Sequence, residues 1–273
     1  MKLPSLSLLS VVIASYVSFP ALAAETPVLD EVVVTAQKRA QKMEDVPISL
    51  TALNGAKLEE AGITSISGIA DYTPSFNMTQ TGIGTNIAIR GISSGVNQGF
   101  EQSAAMFVDG IHYGRAQLAR APFLDIERIE ILRGPQSILF GKNSTAGAIS
   151  IINAKPGDEF EGNLTLSYEP EFEGKEGRLV LSGPISDTVG GRLAILSRSN
   201  DGFIENTTLN RNESSDKDQV VRATLDWKPS HTWDISLKLE DGSFDSNGRN
   251  IEVVKPVTNP ALNPTKDPNP YKT

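Results

Sequence analysis

Two arginines share one local setting, Ile89-Arg90-Gly91 and Leu132-Arg133-Gly134. In each, the glycine favours a backbone turn that would present the guanidinium fork to a carboxylate. An arginine on an ordinary wet surface would read the same way. Catalysis is harder to place. Glu127 and Glu130 could serve as an acid pair, but residues three apart on a strand point to opposite faces. With no cysteine there is no thiolate nucleophile, disulfide or thiolate metal site, and two histidines, His112 and His231, are too few for a His-rich centre. The glycine-rich stretches Gly82-Ile83-Gly84 and Gly91 to Gly99 lack the lysine of a phosphate loop. No metal, cofactor or catalytic residue is therefore expected. One further segment could do work through its backbone. Asp30-Glu31-Val32-Val33-Val34-Thr35-Ala36 is β-branched within polar surroundings. It suits either strand addition to a partner's sheet edge or the first strand of an ordinary domain.

Charge and targeting narrow the setting. The 273 residues carry 25 Lys+Arg against 33 Asp+Glu, a formal net charge of −8, which argues against a nucleic-acid partner. Lys2, the apolar run Leu3 to Val17 and the small-x-small pattern Ala21-Leu22-Ala23 read as a secretory signal, with cleavage between Ala23 and Ala24. The run is too short and too rich in serine for the roughly 20 apolar residues of a membrane helix.

The elements that must position these residues fall into blocks. After a signal at 1–23, residues 24–44 form a polar segment around Val32-Val33-Val34. Residues 45–155 mix short strands and helices in an α+β domain. Val46 to Leu53 reads as a strand, and Asn54 caps a helix over Gly55 to Ala61. A second helix over Ser65 to Tyr72 stops before Pro74, and strands follow at 86–90, 104–108, 126–133 and 147–153. Asp109-Gly110 is a two-residue hairpin signal; Gly91, Gly134-Pro135 and Gly141 mark other turns. Thr79 to Asn86 and Ser93 to Gln102 read as loops. Residues 160–273 change period. Leu164, Leu166 and Tyr168, then Val221, Ala223, Leu225 and Trp227, then Trp233, Ile235, Leu237 and Leu239 alternate with polar residues. A soluble sandwich alternates in this way too. Strands of about 10 residues, alternating short and long connections, and Trp227 and Trp233 flanking a short turn favour a membrane barrel.

Motif order adds a family. Asp30 to Ala36, Ile89-Arg90-Gly91, Val108-Asp109-Gly110-Ile111, Ile126-Glu127-Arg128-Ile129-Glu130-Ile131-Leu132-Arg133-Gly134-Pro135 and Asn143 to Asn153 together resemble the N-terminal part of a TonB-dependent outer-membrane receptor. Gly183-Pro184-Ile185-Ser186-Asp187 and Asp201 to Asn206 resemble its first barrel strands. The resemblance implies an α+β plug domain followed by antiparallel strands of an incomplete transmembrane β-barrel. It implies that Asp30 to Ala36 pair with the periplasmic domain of TonB, that Arg90 and Arg133 face wall carboxylates, and that the loops at 79–86 and 93–102 are plug apices touching ligand. The implied partners are TonB, outer-membrane lipid and a small ligand, by default a ferric siderophore, in a protein that is monomeric once its barrel closes. Only Ala24 to Leu29 separate the cleavage site from Asp30, unlike the transducer subclass with its extra domain. Five or six strands fit in 160–273, against about 22 in a receptor barrel, so the chain reads as a fragment, a truncated reading frame or the N-terminal piece of a longer receptor.

Overall fold

The computed structural model describes residues 33–36, 38–80, 84–96, 101–206 and 210–247. A two-residue strand β1 (Val33–Val34) pairs antiparallel with β2 (Gln41–Lys42). Then come β3 (Leu50–Asn54), helices α1 (Gly55–Glu60) and α2 (Ile66–Ile69), the hairpin β4 (Phe76–Gln80) and β5 (Thr85–Ile89), and the hairpin β6 (Ala104–Val108) and β7 (Ile111–Tyr113). Strand β8 (Ile126–Arg133), helix α3 (Ser137–Phe140) and β9 (Gly147–Asn153) complete this domain. Its five-stranded sheet runs β3-β8-β9-β6-β7, antiparallel except for the parallel pair β6 and β9. Ile129 and Ile131 of β8 and Ile149 of β9 are fully buried against Ile66, Ile69, Ile87 and Ile89. Each contributes roughly 1.5–3 kcal/mol of burial.

Three departures from the sequence reading have local causes. Strand β3 begins at Leu50 rather than Val46, because Pro47 offers no N–H and Val46 closes a tight turn onto Met43. The second helix is confined to Ile66–Ile69, after which turn bonds from Tyr72 to Ile69 and from Phe76 to Thr73 take over. The expected loop at Thr79 to Asn86 is largely a hairpin, with Thr79 opposite Asn86 and Gln80 opposite Thr85. Its polar side chains, exposed at Thr79 and Gln80 and buried at Thr85, carry no apolar alternation for a period-2 signal. At the other hairpin Asp109 and Gly110 hold φ of 49° and 81°, the left-handed pair that a type I′ turn requires.

The second sheet consists of β10 (Glu161–Glu169), β11 (Gly174–Ser186), β12 (Val189–Asn200), β15 (Ser215–Ser230) and β16 (Trp233–Asn247), antiparallel in that order. Strands β13 (Ile204–Asn206) and β14 (Arg211–Glu213) form a small hairpin within the long β12–β15 connection. The alternation is inside out. On β15 the covered residues are Asp218, Val220 and Arg222, and the exposed ones are Val221, Ala223, Leu225 and Trp227. Leu166 is 75% exposed, Trp233 65% and Leu239 64%. A water-soluble sandwich buries its apolar face; on β15 the face bearing Asp218 and Arg222 turns inward, where Ala194 and Leu196 of β12 join it, and the apolar face turns outward. That is the arrangement of a barrel wall in lipid.

Candidate functional site

Two clusters of charged side chains stand out. The first anchors the N-terminal segment. Thr35 donates its backbone N–H to Glu130 Oε1 at 2.7 Å and its hydroxyl to the same oxygen at 3.1 Å. Arg128 Nε also donates to that oxygen, at 2.9 Å, and its Nη2 reaches the Thr35 hydroxyl at 3.3 Å. Lys38 lies over the rings of Phe107 and Phe140, 5.8 and 5.7 Å from their centroids. Val34 and Ala36 are fully buried, whereas Val33 is half exposed. Asp30, Glu31 and Val32 lie outside the described residues, as do Ala23 and Ala24.

The second cluster joins the α+β domain to the long-strand sheet. Arg192 of β12 makes a bidentate pair with Asp125, both contacts at 2.6 Å. Its Nη1 donates to Glu161 at 2.9 Å and to the Lys155 carbonyl at 3.1 Å. Close approach here needs Gly190, where an added Cβ would lie 2.9 Å from the Pro156 ring. Arg222 of β15 donates to the Leu124 carbonyl at 2.7 Å and to Glu240 at 2.5 Å. Lys238 of β16 pairs with Asp109, which also accepts from the Asn153 backbone and side chain at 2.9 and 2.8 Å. Burial alone would raise the Asp109 carboxyl. The Lys238 and Asn153 bonds outweigh it and hold the group below its ordinary value.

Arg90 and Arg133 sit together at another place. A Cβ added at Gly134 (φ 101°) would meet Arg90 Nη1 at 3.3 Å. Arg133 donates to the carbonyls of Pro74 and Leu50 at 3.2 and 3.4 Å, and its Nε is buried with no partner among the described residues. Arg90 is exposed, in the left-handed region at φ 53°, and is followed by Gly91 at φ 77°. Neither arginine has an ion pair among the described residues. Gly134-Pro135 leads into α3, and Gly141 (φ 83°) ends it. The loop stems at Gly84 and Val96 touch, since a Cβ at Gly84 would fall 2.3 Å from the Val96 carbonyl. Among the described residues no group of His, Asp and Glu could hold a metal ion. Exposed His112 instead lies tilted beside Phe107, with ring centroids 5.2 Å apart.

Comparison with known proteins gives the geometry its family. Residues 42–148 match the family model described as TonB-dependent Receptor Plug Domain. The chain carries a TonB-dependent receptor plug domain. Over 200 residues it is 30% identical to the pesticin receptor of Yersinia pestis, covering 68% of this chain and 28% of that protein. Over 197 residues it is 31% identical to the iron-regulated outer membrane virulence protein of Vibrio cholerae, covering 68% and 30%. The chain thus spans under a third of the length of these relatives. Among solved structures, the ferric yersiniabactin uptake receptor of Yersinia pestis superimposes with a TM-score of 0.67 at 22% identity, over 77% of this chain and 35% of that one. The likeness places the fold, a plug followed by the first strands of a receptor barrel. Sequence reasoning singled out the plug arginines but not Arg192, Arg222 or Lys238, which reach the plug from the wall. For Arg222 and Lys238 a signal was present, since each lies on the polar face of a strand whose other face is apolar; Arg192 shares its face with Gly190, Ala194 and Leu196 and had none.

Proposed function

We propose that this chain is the plug and first wall strands of an outer-membrane receptor that takes up a scarce ligand, a ferric siderophore, with energy supplied through TonB. The observation that carries the reading is the sheet packed on a plug domain with its apolar β15 face outward, Arg192 of the wall paired to the plug's Asp125 and Arg222 bonded to the Leu124 carbonyl. The siderophore class is supported by the ferric yersiniabactin uptake receptor to which the fold is similar. In this reading a leader is removed between Ala23 and Ala24, Asp30 to Ala36 form the TonB box, and the loops near Gly84 and Val96 meet ligand from outside. The rival reading is a plug-like periplasmic binding module without a barrel. It is disfavoured because such a module would leave Leu166, Trp233 and Leu239 in water.

The test is accumulation of iron-55 from a panel of ferric siderophores by cells expressing the receptor that contains this chain, with and without TonB. The expected result is uptake of at least one siderophore, lost without TonB, with the protein in the outer-membrane fraction. A soluble periplasmic product, or uptake indifferent to TonB, would sink the proposal.

Arg90 and Arg133 are assigned to plug–wall coupling. Arg133 keeps a buried Nε with no partner among the described residues, and a buried guanidinium favours a carboxylate that can share its donors. Their acids then come from wall strands following those described. Arg133→Ala in the receptor is expected to raise sensitivity to bulky antibiotics or to lower uptake at unchanged expression. Wild-type permeability, uptake and hydrogen-exchange protection of the plug would place Arg133 on an inert surface.

A further inference from the structure

Thr35 belongs to the segment that the proposed coupling role assigns to TonB, yet the fold already uses its polar groups. Its N–H and hydroxyl go to Glu130 Oε1 at 2.7 and 3.1 Å, and its carbonyl accepts the Lys38 N–H at 2.8 Å. Val33 and Val34 are paired with Lys42 and Gln41, and the side chains of Val34 and Ala36 are fully buried. Strand addition draws on main-chain N–H and C=O groups. The docked segment cannot offer those of Thr35, so docking and partner pairing exclude one another there.

Glu130 is an unusual residue for its position. It is 0% exposed in a strand whose neighbours Ile129, Ile131 and Leu132 are core, and in register it faces Ala52 and Ser150. A buried carboxylate is unfavourable unless it is paired and hydrogen-bonded. Sheet closure does not require it, and its Oε2 has no hydrogen-bond partner among the described residues. All its bonds are made by Oε1, to Arg128 and to Thr35. Its role is therefore to hold the incoming segment, with the Arg128 Nε bond to Oε1 keeping it aimed. Lys38 over Phe107 and Phe140 supplies a second anchor three residues on.

We infer that Glu130, oriented by Arg128 and assisted by Lys38, is a positioning residue that latches the coupling segment onto the plug and thereby sets how tightly TonB binds. The inference rests on the coupling role proposed above. It has a quantitative signature. If only the undocked form binds TonB, the apparent dissociation constant is the intrinsic one divided by the undocked fraction. Any variant that raises the undocked fraction must then lower the dissociation constant by the same factor.

The test uses the detergent-purified receptor containing this chain, without siderophore, and the periplasmic domain of TonB as titrant. Hydrogen exchange over residues 33–42 reports undocking, and exchange over β9 and β12 reports the integrity of plug and wall. Glu130→Ala is expected to speed exchange at 33–42 by about tenfold or more and to tighten TonB binding by the same factor. Lys38→Ala and Thr35→Val lie outside the core and are expected to move both readouts together by a smaller common factor. They decide the matter should Glu130→Ala lose β9 protection. Unchanged exchange in these variants overturns the latch, as does faster exchange with TonB affinity unchanged or weakened. Failure of the coupling role is a separate event: wild-type receptor would then not bind TonB at all, while the exchange result would still report on docking.

Discussion

Val33→Pro should abolish siderophore uptake while leaving siderophore binding at the cell surface intact. The proposed engagement of TonB is strand addition, and its affinity comes from main-chain hydrogen bonds. Proline removes the donor at residue 33, fixes φ near −65° and biases Val32 away from helical backbone. The plug should not notice. Val33 is half exposed, and β1 is only two residues long. The core cluster around Ile129, Ile131 and Ile149 draws nothing from it. The effect should therefore fall on transport and not on expression or ligand affinity. Iron-55 uptake and surface binding at 0 °C separate the two. Val33→Ala keeps the N–H and is expected to retain uptake. Uptake that survives Val33→Pro would remove Asp30 to Ala36 from the coupling role.

The sequence made the plug's sheet readable wherever apolar residues alternate or run unbroken. Strands β6, β8 and β9 fall at their expected bounds because Ile129, Ile131, Ile149 and Ile151 are all core and the turns between them are marked by Asp109-Gly110 and Gly134-Pro135. Strand β4 was not readable. Only Phe76 is buried in it, and Asn77, Thr79 and Gln80 are exposed, so pairing with β5 is set by main-chain bonds and a neighbour, not by its own pattern. Period 2 in the second sheet was visible, and strand length, connection lengths and the tryptophans at one turn favoured a barrel, but alternation alone did not give its sign. Trp227 and Asp226 alternate equally well in a sandwich and in a barrel, and only the packing of Arg192 and Arg222 on the plug tells which face is covered. The anchoring residues were hidden for a related reason. Glu130 reads as the polar half of a strand alternation, and nothing local in the sequence says that Thr35, 95 residues earlier, will cover it. Long-range pairs of this kind follow from topology.

Arg192→Met should loosen the plug from the wall more than any other single change at this interface. The pair with Asp125 is short and bidentate, and the two side chains are only 12% and 9% exposed. Burying the pair already costs desolvation, so its formation is weak evidence of stability in itself. Breaking it is different. Among the described residues the Asp125 carboxylate has no hydrogen-bond donor other than Arg192, so Arg192→Met strands a buried anion, at about 3–5 kcal/mol. The reverse change should be milder. Asp125→Asn leaves Arg192 with Glu161 and the Lys155 carbonyl, and keeps an acceptor of the same shape. The asymmetry is the diagnostic, since a merely bulky contact would respond about equally to either substitution. Asp125 directly precedes β8, and Leu124 beside it gives its carbonyl to Arg222. Loss of the pair should therefore open residues 121–126 first, and leave the core of β8 and β9 protected. Hydrogen exchange on the receptor, with a double-mutant cycle between the two positions, measures both size and site. Sensitivity to bulky antibiotics should rise in Arg192→Met and stay near wild type in Asp125→Asn. Equal effects in the two variants, or wild-type exchange over 121–126 in Arg192→Met, would show that the plug is held elsewhere.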